Sequence, residues 1–150
     1  MNTNLFVVRK AQPIDASAIS VLEQQCSLES QSFRGSAQLL AEAPFIGNDF
    51  DKVLGSTGRL VLVVVASGEL CGFADMVISD SVAMVQRVYI SEAVRELGAG
   101  ATLIDELRIH ATALGCKRID AYALPGDRLT KNLFERAGMK ARLLIASSDL

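Results

Sequence analysis

Apolar residues run unbroken from Leu60 to Ala66, Leu-Val-Leu-Val-Val-Val-Ala, the longest such run in the chain. A β-branched run of this length is the pattern of a strand buried on both faces of a sheet. Ser67-Gly68 interrupts it and predicts a hairpin into a second strand, Leu70–Ser79. Val82–Ile90 then alternates, with Val82, Met84, Gln86, Val88 and Ile90 on one face and Ala83, Val85, Arg87 and Tyr89 on the other. After Gly100 the period lengthens from that of a strand to that of a helix. Leu103, Ile104, Leu107, Ala111 and Leu114 make one apolar stripe on a helix ending at Gly115. Lys117–Leu124 predicts a further strand, Asp127–Ala137 a helix stopped by Gly138, and Met139–Ser147 a closing strand.

The first third is patterned less strongly. Leu5–Arg9 reads as a strand, and Pro13-Ile14-Asp15 opens a helix with Asp15 as N-cap before Ile19, Leu22 and Cys26. Ser36–Glu42 predicts a short helix. Residues 44–59 carry Pro44, Gly47, Asn48, Asp49, Gly55 and Gly58, which predicts a mobile, ligand-facing loop with one helical turn at Phe50–Leu54. The resulting order, β-α-α-β-β-β-α-β-α-β, predicts an α+β (mixed α/β) fold with a central mixed sheet and helices on both faces. No linker divides it, so residues 1–150 are expected to form a single domain.

Composition narrows the function classes. Half of the 150 residues are hydrophobic and only 11 are Gly and 3 Pro, which excludes disordered and collagen-like chains. Three cysteines without a C-x-x-C pair predict reduced structural thiols, and the single histidine, His110, supplies no histidine-rich metal site. No apolar run approaches the roughly 20 residues that span a bilayer. Met1–Lys10 lacks the features of a secretory signal, so the cytoplasm is the expected compartment. A net charge of −2 argues against nucleic-acid binding. The cations are nevertheless concentrated late in the chain, with five Lys+Arg in residues 1–85 and ten in residues 86–142. An anionic ligand is therefore expected in the second half.

The chemistry-bearing stretch is the strand Val82–Ile90, then Arg95-x-x-Gly98-x-Gly100, then a helix. A helix N-terminus leaves about four N–H groups unpaired and carries positive dipole, so it binds phosphate oxygens without a lysine. Gly98 and Gly100 permit close approach and positive φ, and the N–H groups of Leu97, Gly98, Ala99, Gly100 and Ala101 can form an anion cradle. A plain strand-to-helix turn is the other reading of the same two glycines. Two alternative phosphate motifs fail on single residues: Ala101 stands where a Walker loop needs Lys, and Leu103 where the dinucleotide fingerprint needs Gly or Ala.

With these residues in place, the chain resembles the GNAT superfamily of acyl-CoA-dependent N-acetyltransferases from end to end. Val8-Arg9-Lys10-Ala11 with Asp15 is similar to that family's opening strand and helix, and Leu60 through Ala74 to its central hairpin. Arg87-Val-Tyr-Ile90 leading into Arg95-Glu-Leu-Gly-Ala-Gly100 resembles the acyl-CoA signature (Gln/Arg)-x-x-Gly-x-(Gly/Ala). Leu133-Phe-Glu-Arg-Ala-Gly-Met139 resembles the apolar-Tyr-Glu-Lys-x-Gly-Phe segment. The resemblance implies acetyl-CoA as co-substrate, with no metal. Backbone groups of Val88 and Ile90 would hold the pantetheine arm where two strands splay. Leu97–Ala101 would hold the pyrophosphate, Arg95 would add charge, and Arg128 and Lys131 are candidate partners of the 3′-phosphate, although a solvated basic helix face reads equally well.

Two departures qualify what the resemblance implies. Phe134 stands where many members carry the tyrosine that protonates the leaving thiolate, and Asp127 stands where Asn is frequent. Tyr122 and Tyr89 are substitute acids and Asp75 and Asp80 candidate bases, each weighed against a packing or surface role. His110 reads as surface and Cys116 as a packed thiol. The expected activity is transfer of an acetyl group to a primary amine, of a small molecule or a peptide, with the catalytic residues open. The alternative is a non-catalytic acyl-CoA-binding module that regulates a protein partner. Assembly as a homodimer stays open.

Overall fold

The computed structural model describes residues 5–150. Five strands form one sheet: β1 (Val7–Lys10), β2 (Arg59–Ala66), β3 (Glu69–Ser79), β4 (Val82–Ile90) and β5 (Arg118–Ala121). They lie in chain order, antiparallel throughout except for the parallel pair β4/β5. The helices are α1 (Ala16–Ser30), α2 (Ser36–Glu42), α3 (Phe50–Leu54), α4 (Ala99–Ala113) and α5 (Arg128–Arg136). The mixed α/β architecture read from the pattern is the one observed.

The alternating faces of β2 show why its run is unbroken. Leu60, Leu62 and Val64 pack against Leu103, Ile104, Leu107 and Ala111 of α4, together with Phe134 of α5. Val61 and Val63 face the other way, into a second core with Ile19 and Leu22 of α1, Ile46, and Phe50 and Val53 of α3. Every side chain of the run's centre is therefore removed from water. At about 1.5–3 kcal/mol per buried aliphatic side chain, this strand is a principal source of stability.

The start of α1 departs from expectation. Pro13–Asp15 is a 3-10 turn, and the Asp15 carboxylate does not cap the helix that follows. It accepts instead from Gln12 N at 2.7 Å and from two nitrogens of Arg9 at 2.7 and 3.0 Å. The Arg9 guanidinium holds this buried carboxyl below its ordinary value. Asp15 thus ties the end of β1 to the start of α1. The segment expected to be mobile is likewise anchored: Glu23, buried on α1, accepts from Ile46 N at 2.7 Å and Gly47 N at 3.0 Å.

Two strand expectations are corrected. The predicted closing strand, Met139–Ser147, does not form; residues 139–150 carry no helix or strand, and Leu143, Leu144 and Ile145 are 79–89% exposed. Strand propensity is realised only through a ladder and a packed face; among the described residues this segment has no ladder, and only Met139 packs on the core. It is fixed locally by Met139 N–H donating to Phe134 O and by Gln38 Nε2 donating to Ser147 Oγ at 2.6 Å. The strand expected over Lys117–Leu124 shrinks to Arg118–Ala121. Its partner turns away after Val85, so residues beyond Tyr122 have nothing to pair with.

Candidate active site

The divergence of β4 and β5 has a visible cause. Along β3, Asp75 pairs with Arg87 but the next residue, Met76, pairs with Val85, so Gln86 is an extra residue in β4. A bulge of this kind bends the strand and flips the faces beyond it. Ala83 and Val85 lie in the α4-side core, and Val88 and Ile90 join them there. Arg87 is placed toward α1 and α2, and Tyr89 belongs to the α1-side core. The simple two-face alternation expected for β4 therefore holds only on each side of Gln86. Tyr122 N donates to Val85 O at 3.2 Å, the last bond across the pair. From Gln86 onward the outer edge of β4 has no strand beside it, leaving a cleft between the strands.

The end of this cleft meets the start of α4. Gly98 is the N-cap residue at φ 92°, a left-handed conformation that a side chain would strain. Thr102 N is the first amide to close a helical bond, to Gly98 O at 3.1 Å. The amides of Leu97, Gly98, Ala99, Gly100 and Ala101 donate to no backbone oxygen among the described residues. Five N–H groups at the positive end of a four-turn helix thus stand together where the cradle is expected. Gly100 contributes differently from the expectation of positive φ. Its backbone is helical, and a Cβ there would lie 2.8 Å from Leu133 Cδ1 and 3.2 Å from Cδ2. Its task is to let α4 and α5 approach.

The remaining candidates scatter. Arg95 turns its guanidinium to Glu29 of α1, at 2.8 and 3.0 Å, while its Nε donates to Ile90 O at 2.9 Å. That carbonyl, one of the backbone groups expected to face pantetheine, is therefore already engaged by Arg95. Arg128 and Lys131 are exposed on α5. Asp127 caps that helix, accepting from Thr130 N at 3.2 Å. Phe134 is 7% exposed and belongs to the α4-side core. Tyr89 packs on Phe73, and burial beside Glu29 pushes its phenol above the ordinary value. Asp75 is buried and held by Arg59 Nε at 2.6 Å and Nη2 at 2.5 Å, so neither oxygen is open to an incoming amine. Asp80 sits in the exposed β3–β4 turn, His110 near the C-terminus of α4, and Cys116 against the core. Among the described residues there is no cluster of His, Cys, Asp or Glu suited to a metal ion. No helix among them is long and apolar enough to cross a membrane.

One residue of the cleft escaped the reading of the sequence. Arg87 is 9% exposed, stacks its guanidinium 3.9 Å above the ring of Phe45, and buries an Nη1 that has no hydrogen-bond partner among the described residues. It lines a small cavity between α1, α2, Phe45 and Leu124, the last of these just after β5. Arg87 read as one member of an alternating strand face, and only the bulge turns it toward this cavity. No sequence signal marks that bulge.

The fold is shared with the aminoglycoside N-acetyltransferase AAC(6')-Iy in complex with CoA, at TM-score 0.73 and 15% identity, covering 96% of this chain and 100% of that one. It is shared with the BH1408 protein of Bacillus halodurans, at TM-score 0.79 and 13% identity over 96% and 99% of the two chains. It is also shared with the aminoglycoside acetyltransferase meta-AAC0020 from an uncultured soil metagenomic sample, in complex with sisomicin, at TM-score 0.74 and 13% identity over 98% and 97%. No curated protein matches the chain in sequence. The family model described as Acetyltransferase (GNAT) family matches residues 22–139, and the chain belongs to that family.

Proposed function

We propose that the chain is an acetyl-CoA-dependent N-acetyltransferase acting as one domain on a primary amine. The observation that carries this reading is the row of unpartnered amides from Leu97 to Ala101 at the end of the β4/β5 cleft. Acetyl-CoA bound there would supply the thioester whose carbonyl carbon the neutral amine attacks, releasing the CoA thiol. The amides of residues 97–101 hold the pyrophosphate. The outer edge of β4 around Val88 and Ile90 hydrogen-bonds the pantetheine arm as an added strand would, Arg95 keeping the strand end in place through Ile90 O. The cleft then aligns amine and thioester, and alignment alone supplies much of the acceleration.

A second reading, acyl-CoA binding without transfer in the service of a protein partner, is favoured by one observation. Phe134, where a proton donor is frequent, offers the core only an apolar ring. Assembly as a homodimer fits the exposed apolar Leu143–Ile145 segment.

Both readings require acyl-CoA binding. A ligand at a hundredfold excess over its Kd stabilises the native state by about 2.7 kcal/mol. For a domain of this size that corresponds to a rise in Tm of about 5–10 °C. Thermal unfolding with increasing acetyl-CoA is expected to show this rise, and an unchanged Tm up to millimolar ligand would refute both.

A further inference from the structure

Arg87 presents an electrostatic problem that the fold leaves unsolved. Burial of a guanidinium is costly unless anions or acceptors compensate it. The acids near it are already committed. Asp75, its register partner on β3, gives both oxygens to Arg59. Glu23 gives both of its oxygens to backbone amides of residues 46 and 47. Cys26 is pushed up to about 11 by burial and is a neutral thiol at pH 7. What remains among the described residues is the face of Phe45, a weak partner, and an Nη1 with no acceptor.

The cavity beside Arg87 has the matching form. Its volume is about 30 Å³, and Ser27, Ser30 and Ser36 line it together with Phe45, Arg87 and Leu124. A space of this size takes only a few heavy atoms, a carboxylate group but not a sugar ring. Hydroxyls on one side and an unpaired guanidinium N–H on the other suit a planar group with two acceptor oxygens. The cavity lies on the α1 side of the sheet, bounded by Arg87 of β4 just past the last β4/β5 pair and by Leu124 just after β5.

We propose that this cavity binds the carboxylate of the acceptor, so that the substrate is an amine that also carries a carboxylate, an amino acid being the smallest example. The inference rests on the acetyl-transfer reading for the word acceptor, but the anion site itself stands on Arg87 alone. One carboxylate oxygen takes the Nη1 hydrogen and the other a serine hydroxyl, which places the amine on the cleft side. A polycationic acceptor would meet a buried like charge at the same point.

The test is calorimetric binding to the CoA-loaded full chain of a panel of α-amino acids, each paired with its carboxamide, followed by thiol release from acetyl-CoA with the same pairs. At least one acid is expected to bind about tenfold more tightly than its amide, the range of a charge-assisted hydrogen bond. Arg87→Met should abolish that preference and Arg87→Lys retain part of it. Folding is monitored by Tm, which should not fall in Arg87→Met, because the variant removes an uncompensated buried charge. Equal affinity for every acid and its amide, absence of binding by both, or a preference that survives in Arg87→Met overturns the proposal. A carboxylate preference without thiol release would leave the anion site standing and contradict the transferase reading. Thiol release with amines of any charge and no carboxylate preference would do the reverse.

Discussion

Arg59→Met is expected to destabilise the fold by about 3 kcal/mol, because it leaves a carboxylate in the sheet without its cation. Asp75 is 1% exposed and receives both of its charged hydrogen bonds from Arg59. The cost of stranding one member of a buried pair is about 3–5 kcal/mol. The lower end applies here because Arg87, opposite Asp75 on β4, can take up part of the charge. Against a total stability of about 5–15 kcal/mol, such a loss is visible in any denaturant titration. Replacing both partners, Arg59→Met with Asp75→Leu, should recover most of it, since no charge is then left buried. An Arg59→Met midpoint equal to that of the parent chain would show that the pair is not needed to bury Asp75.

Gly100→Val is expected to act on stability and binding together. The added Cβ would stand 2.8 Å from Leu133 Cδ1, so α5 must shift or Leu133 must change rotamer, at about 1–3 kcal/mol. The branched side chain also crowds the amides of residues 97–101, and acetyl-CoA affinity should fall by at least about tenfold. Leu133→Ala separates the two effects. In the double variant the clash is relieved and the fold recovers, while the loss of affinity persists if the amides are the phosphate cradle. Parent-like acetyl-CoA affinity in a folded Gly100→Val chain would show that the glycine serves helix packing alone.

The parts of this fold that depend on local periodicity were legible. The run Leu60–Ala66 is buried on both faces as its pattern predicts, β4 has the predicted limits, and the α4 stripe faces the sheet through Leu103, Ile104, Leu107 and Ala111, whereas Leu114, expected as its last member, is exposed just past the helix. What escaped depends on contacts distant in sequence. The Gln86 bulge shows only in the register of β4 against β3, and it decides where Arg87 points. The Arg95–Glu29 pair joins residues 66 apart, so a cation that reads as a phosphate ligand is turned toward α1. The Met139–Ser147 run has the composition of a strand, yet a strand needs a neighbour, and composition does not reveal whether one is in reach. Gly98 and Gly100 were legible as a pair but carry different burdens, one conformational and one steric.

The cradle and the splayed strands lead to a single chemical claim, that an amine bound beside Arg87 takes the acetyl group of a thioester held along β4. The initial rate of CoA-thiol release at saturating acetyl-CoA, across amino acids, peptide N-termini, polyamines and aminoglycosides, tests it most directly. Release above the no-acceptor rate is expected with at least one amine, matched by formation of its N-acetyl product, and carboxylate-bearing amines are expected to lead the series. Saturable acetyl-CoA binding with no amine raising the rate above background would contradict it and leave the chain as an acyl-CoA-binding module.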